Sequence, residues 1–457
     1  MTDPVPEVET PGLSKALRSR HVAMISIGGI IGAGLFVGSS ASIAATGPAI
    51  VLSYLLAGLV ILLVMRMLGE MAVAYPEIGA FTEFSRLGLG PLAGFLSGWL
   101  YWYFWVVVAA IEALAGATLI HEWLPAPVWL IGWVLLAAMT AVNLMSTRAY
   151  GEFEFWFASL KVGAIVVFIA VAAAYAFGFT SGSGPSFANL YSHGGFAPFG
   201  PMSVFAGATS VIFALCGAEI ATIAAAESPE PARIIAKMTT SVVMRILLFY
   251  VLSILLIVAI VPWNTIRPGV SPFAVVLDHV GIPGAALIMK LVVLVAVLSC
   301  LNSGLYVTSR VLFTLAAHGD APRGLVTLNR AKAPARAILA GSAFGYLAIL
   351  ASVLSPTLVF AFLVNASGAI MLMIYLITAV SQIRLRRRLE REAPERLVVK
   401  MWLFPYVSYL AVGGILVILA AMAFTPALAS QLAASIGCVV VLVAAYLIWR
   451  RPRRTVG

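Results

Sequence analysis

Long apolar runs, separated by short polar or Gly/Pro-rich breaks, cover almost the whole chain. They fall at roughly 22–47, 49–74, 92–120, 127–146, 155–178, 200–225, 239–262, 284–312, 336–354, 357–380, 402–423 and 429–449. A helix crosses the hydrocarbon core of a bilayer with about 20 apolar residues. The pattern therefore predicts an all-α integral membrane protein with twelve transmembrane helices. The stretches between runs are short, the segment 180–199 being among the longest, so there is no room for a soluble catalytic domain.

Composition agrees. Of 457 residues, 62% are hydrophobic and 10% charged, against about 25% charged in soluble domains. Cys216, Cys300 and Cys438 all lie in apolar runs, which gives neither a disulfide scaffold nor a zinc site. The five histidines (21, 121, 193, 279 and 318) are scattered over different loops. No metal site, no cofactor and no membrane-enzyme chemistry are expected. Residues 1–20 are polar and lack a signal-peptide core, so they read as a cytoplasmic tail.

The net charge of +10 is a matter of distribution. With the N-terminus inside, the cytoplasmic side receives Arg66, Arg86, Arg148, Arg233, Lys237, Arg323, Arg330, Lys332, Arg336, the cluster from Arg384 to Lys400 and the last arginines. The outer loops carry Arg267 as their only lysine or arginine. This positive-inside bias predicts a multi-pass protein of the cell (inner) membrane with both termini cytoplasmic. The basic excess then faces anionic lipid and not nucleic acid. The expected layout is a tail (1–20), a core (21–382, with halves of about 21–180 and 198–382), a basic, solvated loop (383–400, including "RLRRRLER"), two further helices (401–450) and a second tail (451–457).

The first run contains "IGGIIGAGLF" (27–36), with four glycines in seven positions. Each costs about 1 kcal/mol relative to alanine inside a helix. Gly28/Gly32 and Gly34/Gly38 are GxxxG pairs, so close helix packing is one reading. The other is a broken helix. Irregular backbone at membrane depth is tolerated where it lines a cavity, and half-helix ends then receive ions or substrate. The sixth run is interrupted in the same way at Cys216–Gly217–Ala218–Glu219, with a charge beside the glycine. Two matched interruptions, in the first and sixth runs, favour the broken-helix reading and point to a transporter site.

Several stretches are recognisable at this point. "SRHVAMISIGGIIGAGLFVGSS" (19–40), "MRMLGEMAVAYPEIGAF" (65–81), "GWLYWYFWVVVAAIEA" (98–113), "YGEFEFWFASLKV" (150–162), "IATIAAAESPEP" (220–231) and "LNSGLYVTSRVLF" (301–313) resemble the amino acid/polyamine/organocation superfamily in its bacterial amino acid permease branch. Within the branch the chain looks most like 4-aminobutyrate (GABA) permeases. The resemblance implies a five-plus-five inverted repeat with broken helices 1 and 6, two extra C-terminal helices and proton-coupled uptake by alternating access. It also implies that the substrate carboxylate meets backbone N–H groups near Gly29, at Ile31, Gly32, Ala33 and Gly34. The amino group would meet carbonyls at Phe213, Ala214 and Cys216, with Phe213 as an aromatic cover. Ala33 departs from the Ser or Thr of many relatives, which bears on the kind of amino acid that fits.

Ionisable groups inside spans are functional candidates by default. Lys161 lies about six residues into the fifth span. Alone it reads as snorkelling; the resemblance makes it the proton-responsive group, with Ser299 or Ser303 of "SCLNSG" lining its cation pocket. Those serines read equally as interhelical glue. Glu112, in "AIEALAG", is either a coupling partner of Lys161 or a structural hydrogen-bonding group, and Glu219 either orients the second break or simply pairs with backbone. Glu227 reads as a loop contact, and Lys290, Arg245 and Arg310 as snorkelling. Part of the aromatic run from Trp99 to Trp105 would wall the cavity.

The function expected is a proton-coupled symporter importing GABA or a small neutral amino acid. Alternatives are an amino acid/amine exchanger without net proton flow, or a permease for an aromatic or basic amino acid or asparagine.

Overall fold

In the computed structural model the described residues are 17–76, 78, 80–179, 187–228, 231–353, 367 and 369–449. Among them the chain is helical throughout, without a strand. The first run is two helices, α1 (Ser19–Ile30) and α2 (Ser39–Thr46), with a wider helical turn at Gly34–Gly38 between them. Then come α3 (Ile50–Ala74), the short α4 (Thr82–Leu89), α5 (Pro91–His121), α6 (Val128–Met145) and α7 (Thr147–Ala176). The sixth run is also divided, into α8 (Met202–Leu215) and α9 (Ile220–Ala226). It is followed by α10 (Pro231–Ile260), α11 (Pro272–His279), α12 (Ala285–Ala317) and α13 (Ala335–Ala351). The last three are α14 (Ile370–Glu392), α15 (Tyr406–Phe424) and α16 (Pro426–Trp449).

Among the described residues, eight helical segments are long and apolar enough to cross a membrane, and two shorter ones are apolar. Most of the expected N-terminal tail, the tail 451–457, residues 354–366 (the end of the ninth run and the first part of the tenth) and the side chain of Arg245 lie outside the described residues.

Local chemistry sets the helix ends. Pro91 opens α5, where its missing N–H is an orphan anyway. The Ser146 hydroxyl accepts the Ala149 N–H at 3.1 Å and caps α7. In packing, α12 runs along α5 and α10 along α3, while α1 touches α7, α9, α10 and α12. The first half of the broken span is thus enclosed by other helices. By contrast α16 leaves Val440, Val441, Leu447 and Ile448 exposed, an apolar face suited to lipid.

Three expectations need correction. The "RLRRRLER" run is not a solvated loop: it forms the last turns of α14. Arg386 is buried there, with Nη1 2.6 Å from Glu70 Oε2 and Nε 2.8 Å from Glu390 Oε1. Glu70 also accepts the Gln382 amide at 2.8 Å, so a buried carboxylate on α3 holds the helix past its apolar length. Glu227 is not a loop contact and Arg310 does not snorkel. Both are buried, and Arg310 Nε lies 2.8 Å from Glu227 Oε1. Lys290 does reach outward, pairing with Glu122.

Candidate functional site

Each break begins where helix-poor residues meet a packing demand. α1 ends at Ile31, whose backbone is extended (φ −84°, ψ 94°), and helical geometry resumes at Ala33. α8 ends at Cys216 (φ −61°, ψ 148°), and Gly217 follows at φ +117°. The two breaks touch. A Cβ on Gly217 would stand 2.7 Å from the Gly29 carbonyl oxygen, and one on Gly34 would stand 3.0 Å from the Ala214 Cα. The glycines of "IGGIIGAGLF" therefore serve close approach and the break together, so the two readings of that stretch describe one feature.

Gly217→Ala is expected to be costly. A left-handed φ strains any L side chain by about 1–3 kcal/mol, and here the added methyl also meets backbone. The melting temperature of the purified protein should fall clearly. Gly163→Ala, whose Cβ would have nothing within 4 Å, should leave it unchanged or raise it. Equal melting temperatures for the two variants would refute the strain.

Between the breaks lies a small cavity. Gly29, Gly32 and Gly34 face Phe213, Ala214 and Cys216 across it, and Phe104, Trp105 and Glu112 from α5 and Cys300 from α12 close it. Phe213 meets Phe104 edge-on, with ring centroids 5.9 Å apart. Of the aromatic run on α5, Phe104 and Trp105 wall the cavity, whereas Trp99 and Trp102 pack against each other. Ile31, Ala33 and Glu219 stand behind the lining.

The breaks place opposite backbone charges at one level. N–H groups leading into the second half of the first span carry the positive end of a helix dipole, and carbonyls ending α8 carry a negative one. Some are already engaged. The Ala33 N–H donates to both carboxylate oxygens of Glu112, at 3.3 and 3.4 Å. The Tyr250 hydroxyl lies 3.0 Å from the Ile30 carbonyl and 3.1 Å from that of Ala214, tying the two breaks to α10.

Lys161 is fully buried and does not snorkel. Its ammonium donates to the carbonyls of Gly28 at 2.6 Å and Ile31 at 2.8 Å, on either side of the end of α1. Glu112 and Lys161 thus grip the same break, one at an N–H and the other at carbonyls, and form no ion pair with each other. Glu219 sits inside the second break. Its carboxylate accepts the Gly217 N–H at 3.2 and 3.3 Å, the Tyr101 hydroxyl at 3.1 Å and the Tyr375 hydroxyl at 3.0 Å. Such saturation fixes the strained turn, and Glu219 is not among the residues that line the cavity.

Each of the two serines on α12 bonds a residue of α7. Ser299 donates to Glu154, and Ser303 pairs with the Tyr150 hydroxyl at 3.3 Å; neither bonds the Lys161 ammonium. Glu154, fully buried on α7, went unnoticed in the sequence. Asn302 Nδ2 reaches it at 3.4 Å, and its Oε1 lies against Gly28, at the point where a Cβ would stand. The signal was its spacing: seven residues before Lys161, hence two helical turns along the same face.

A family model described as "Amino acid permease" matches residues 21–454. The chain is 48% identical over 444 residues to a gamma-aminobutyric acid permease of Bacillus subtilis (strain 168), covering 97% of this chain and 95% of that protein. It is 46% identical over 422 residues to a gamma-aminobutyric acid permease of Escherichia coli (strain K12), covering 91% and 90%. It is 45% identical over 426 residues to a probable GABA permease of Pseudomonas aeruginosa, covering 92% and 90%.

Proposed function

The chain belongs to the amino acid permease family, and we propose that it imports GABA or a small neutral amino acid together with protons. The observation that carries this is the pair of broken spans whose glycine backbones meet across one cavity. A zwitterion needs an anion seat and a cation seat, and opposed half-helix ends supply both without a charged side chain. The substrate carboxylate is received by N–H groups in the Ile31–Gly34 segment and the amino group by the carbonyls of Phe213, Ala214 and Cys216. GABA is the favoured substrate because three relatives bearing that name are similar over nine-tenths or more of this chain.

In this reading the helices form a five-plus-five inverted repeat plus two, in the inner membrane, with both termini cytoplasmic. One bundle rocks against the rest, so the cavity opens to each side in turn. Lys161 and Glu112 couple the protons, since both are buried ionisable groups hydrogen-bonded to the first break. Charged, Lys161 clamps the end of α1; neutral, it loosens it.

The test is a thermal-shift panel of GABA, β-alanine, proline and the standard amino acids on purified protein. Stabilising ligands are then assayed for uptake into proteoliposomes with an inward proton gradient. GABA or β-alanine should raise the melting temperature and accumulate against their gradient. Stabilisation by an aromatic or basic amino acid alone would overturn the substrate assignment. Uptake that depends on preloaded substrate and ignores the proton gradient would turn the reading into an exchanger.

A further inference from the structure

The end of α14 and the start of α15 meet at a charged surface that the transport cavity does not use. On α14, Arg384, Arg387, Arg388 and Arg391 are spaced i, i+3, i+4 and i+7, so they share one helix face, and all four are exposed. Leu385, Arg386 and Leu389, on the other side, are buried. Arg388 is paired with Glu392, and Glu390 with Arg386. Arg384, Arg387 and Arg391 are in no ion pair among the described residues. On α15, Tyr406, Tyr409, Leu410, Leu416 and Val417 are exposed and also share one face. The two stripes touch where Arg387 donates to the Tyr409 hydroxyl, its guanidinium 6.0 Å from the ring centre. That leaves most of its five N–H donors unused. The turn between the helices is pinned from behind. Arg66 of α3 donates to the Lys400 carbonyl at 2.7 and 3.0 Å and lies 5.2 Å from the Trp402 ring. Arg386 lies 5.3 Å from the Phe404 ring, and such cation–ring contacts are attractive. A basic face and an apolar face are therefore presented side by side.

We propose that this junction seats one phospholipid of net negative charge, with its phosphate on Arg384 and Arg387 and an acyl chain along the apolar face of α15. The occupant has to offer an anion to the arginines and hydrocarbon to the stripe beside them, and an anionic membrane lipid carries both in that order. The lengths agree. From Tyr406 to Val417 the stripe is about 17 Å long at about 1.5 Å per residue, close to half of a hydrocarbon core about 30 Å thick. One end of it is then at headgroup level, where Tyr406 and Tyr409 are at home, and the other is near mid-bilayer. A zwitterionic lipid has the same phosphate, but its own ammonium offsets the charge that the arginines receive. Bound there, the lipid ties the end of α14 to α15. The proposal rests on the chain spanning a membrane and not on which substrate it carries.

Native mass spectrometry of the purified protein in detergent counts bound lipid, with dioleoyl phosphatidylglycerol and dioleoyl phosphatidylethanolamine supplied at matched concentrations. One phosphatidylglycerol per chain should bind more tightly than phosphatidylethanolamine, by roughly tenfold or more. The triple variant Arg384→Gln, Arg387→Gln, Arg391→Gln should weaken phosphatidylglycerol binding by roughly a hundredfold, at about fivefold for each charge removed. A second triple variant, Arg323→Gln, Arg330→Gln, Lys332→Gln, removes the same charge from exposed positions between α12 and α13 and should leave binding unchanged. Equal losses in the two variants overturn the seat, because they reduce it to general attraction by a basic protein. Wild-type protein that does not distinguish the two lipids overturns it as well, and that measurement is independent of whether any variant folds. Glycerophosphoglycerol, the headgroup without chains, should fail to displace the bound lipid at the same concentration. Displacement by it overturns the proposal in favour of a site for soluble anions.

Discussion

Lys161→Ala is expected to abolish amino acid accumulation driven by an imposed pH gradient while leaving substrate exchange measurable. The ammonium makes two charge-assisted hydrogen bonds, at 2.6 and 2.8 Å, to carbonyls on either side of the first break. Bonds of this kind are each worth about 1.5–3 kcal/mol, so losing even one changes the balance between gripped and released states by roughly tenfold or more. Alanine removes both the clamp and the group that would take and give up the proton. Accumulation in proteoliposomes should then fall to near equilibration, whereas counterflow needs only the cavity and its rocking. Lys161→Arg separates clamp from switch. An arginine keeps the charge and never releases it, so that variant should bind substrate and still fail to accumulate it. Gradient-driven accumulation at the wild-type level in Lys161→Ala would end the proton role assigned to this residue.

Much of this arrangement was legible along the chain, because helical length, glycine content and in-span charge are local properties. The interruptions at Gly28–Gly34 and Cys216–Glu219, and the two ionisable groups Glu112 and Lys161, are visible without partners. What escaped the sequence is what depends on facing. Glu152 and Glu154 lie two residues apart on one helix, on different faces. Glu152 bonds Arg20 at the surface, and Glu154 is buried against Gly28 and Ser299. Nothing local says which points inward. Ser299 and Ser303 read along the chain either as a pocket for Lys161 or as glue between helices, and only their facing, towards Glu154 and Tyr150, separates the two. The arginine run at 384–391 reads as loop because what holds it in a helix is Glu70, more than 300 residues earlier in the chain.

Glu227→Ala should be among the most destabilising single changes in the protein, and the reason is again pairing at long range. Glu227 follows α9, the second half of the broken sixth span, and Arg310 lies on α12. The guanidinium bonds Glu227 Oε1 through Nε at 2.8 Å, the Ser309 hydroxyl at 3.0 Å and the Thr147 hydroxyl at 3.2 Å. Thr147 and the Tyr306 hydroxyl donate to Glu227 at 2.9 and 2.8 Å. Tyr306 in turn stacks on Tyr150, with centroids 4.2 Å apart, and lies under the guanidinium. The Leu17 N–H donates to the Glu227 carbonyl at 3.1 Å, bringing the chain before α1 into the same cluster. Removing the carboxylate strands a buried cation, which costs about 3–5 kcal/mol. At about 2 °C per kcal/mol, the melting temperature should drop by roughly 6–10 °C. Replacing both partners, as Glu227→Met with Arg310→Met, strands no charge and should recover most of that loss. The double variant also separates stability from transport. The cluster joins both broken spans to α7 and α12, so a conformational change that moves the first and sixth spans against that pair must open it. Without the pair the protein should be well folded yet spend more time with this end open, and a cysteine placed at Ser309, buried beside the pair, should react faster with a thiol reagent. If that cysteine reacts no faster in the double variant than beside the intact pair, the cluster is a structural tie and no part of the gate.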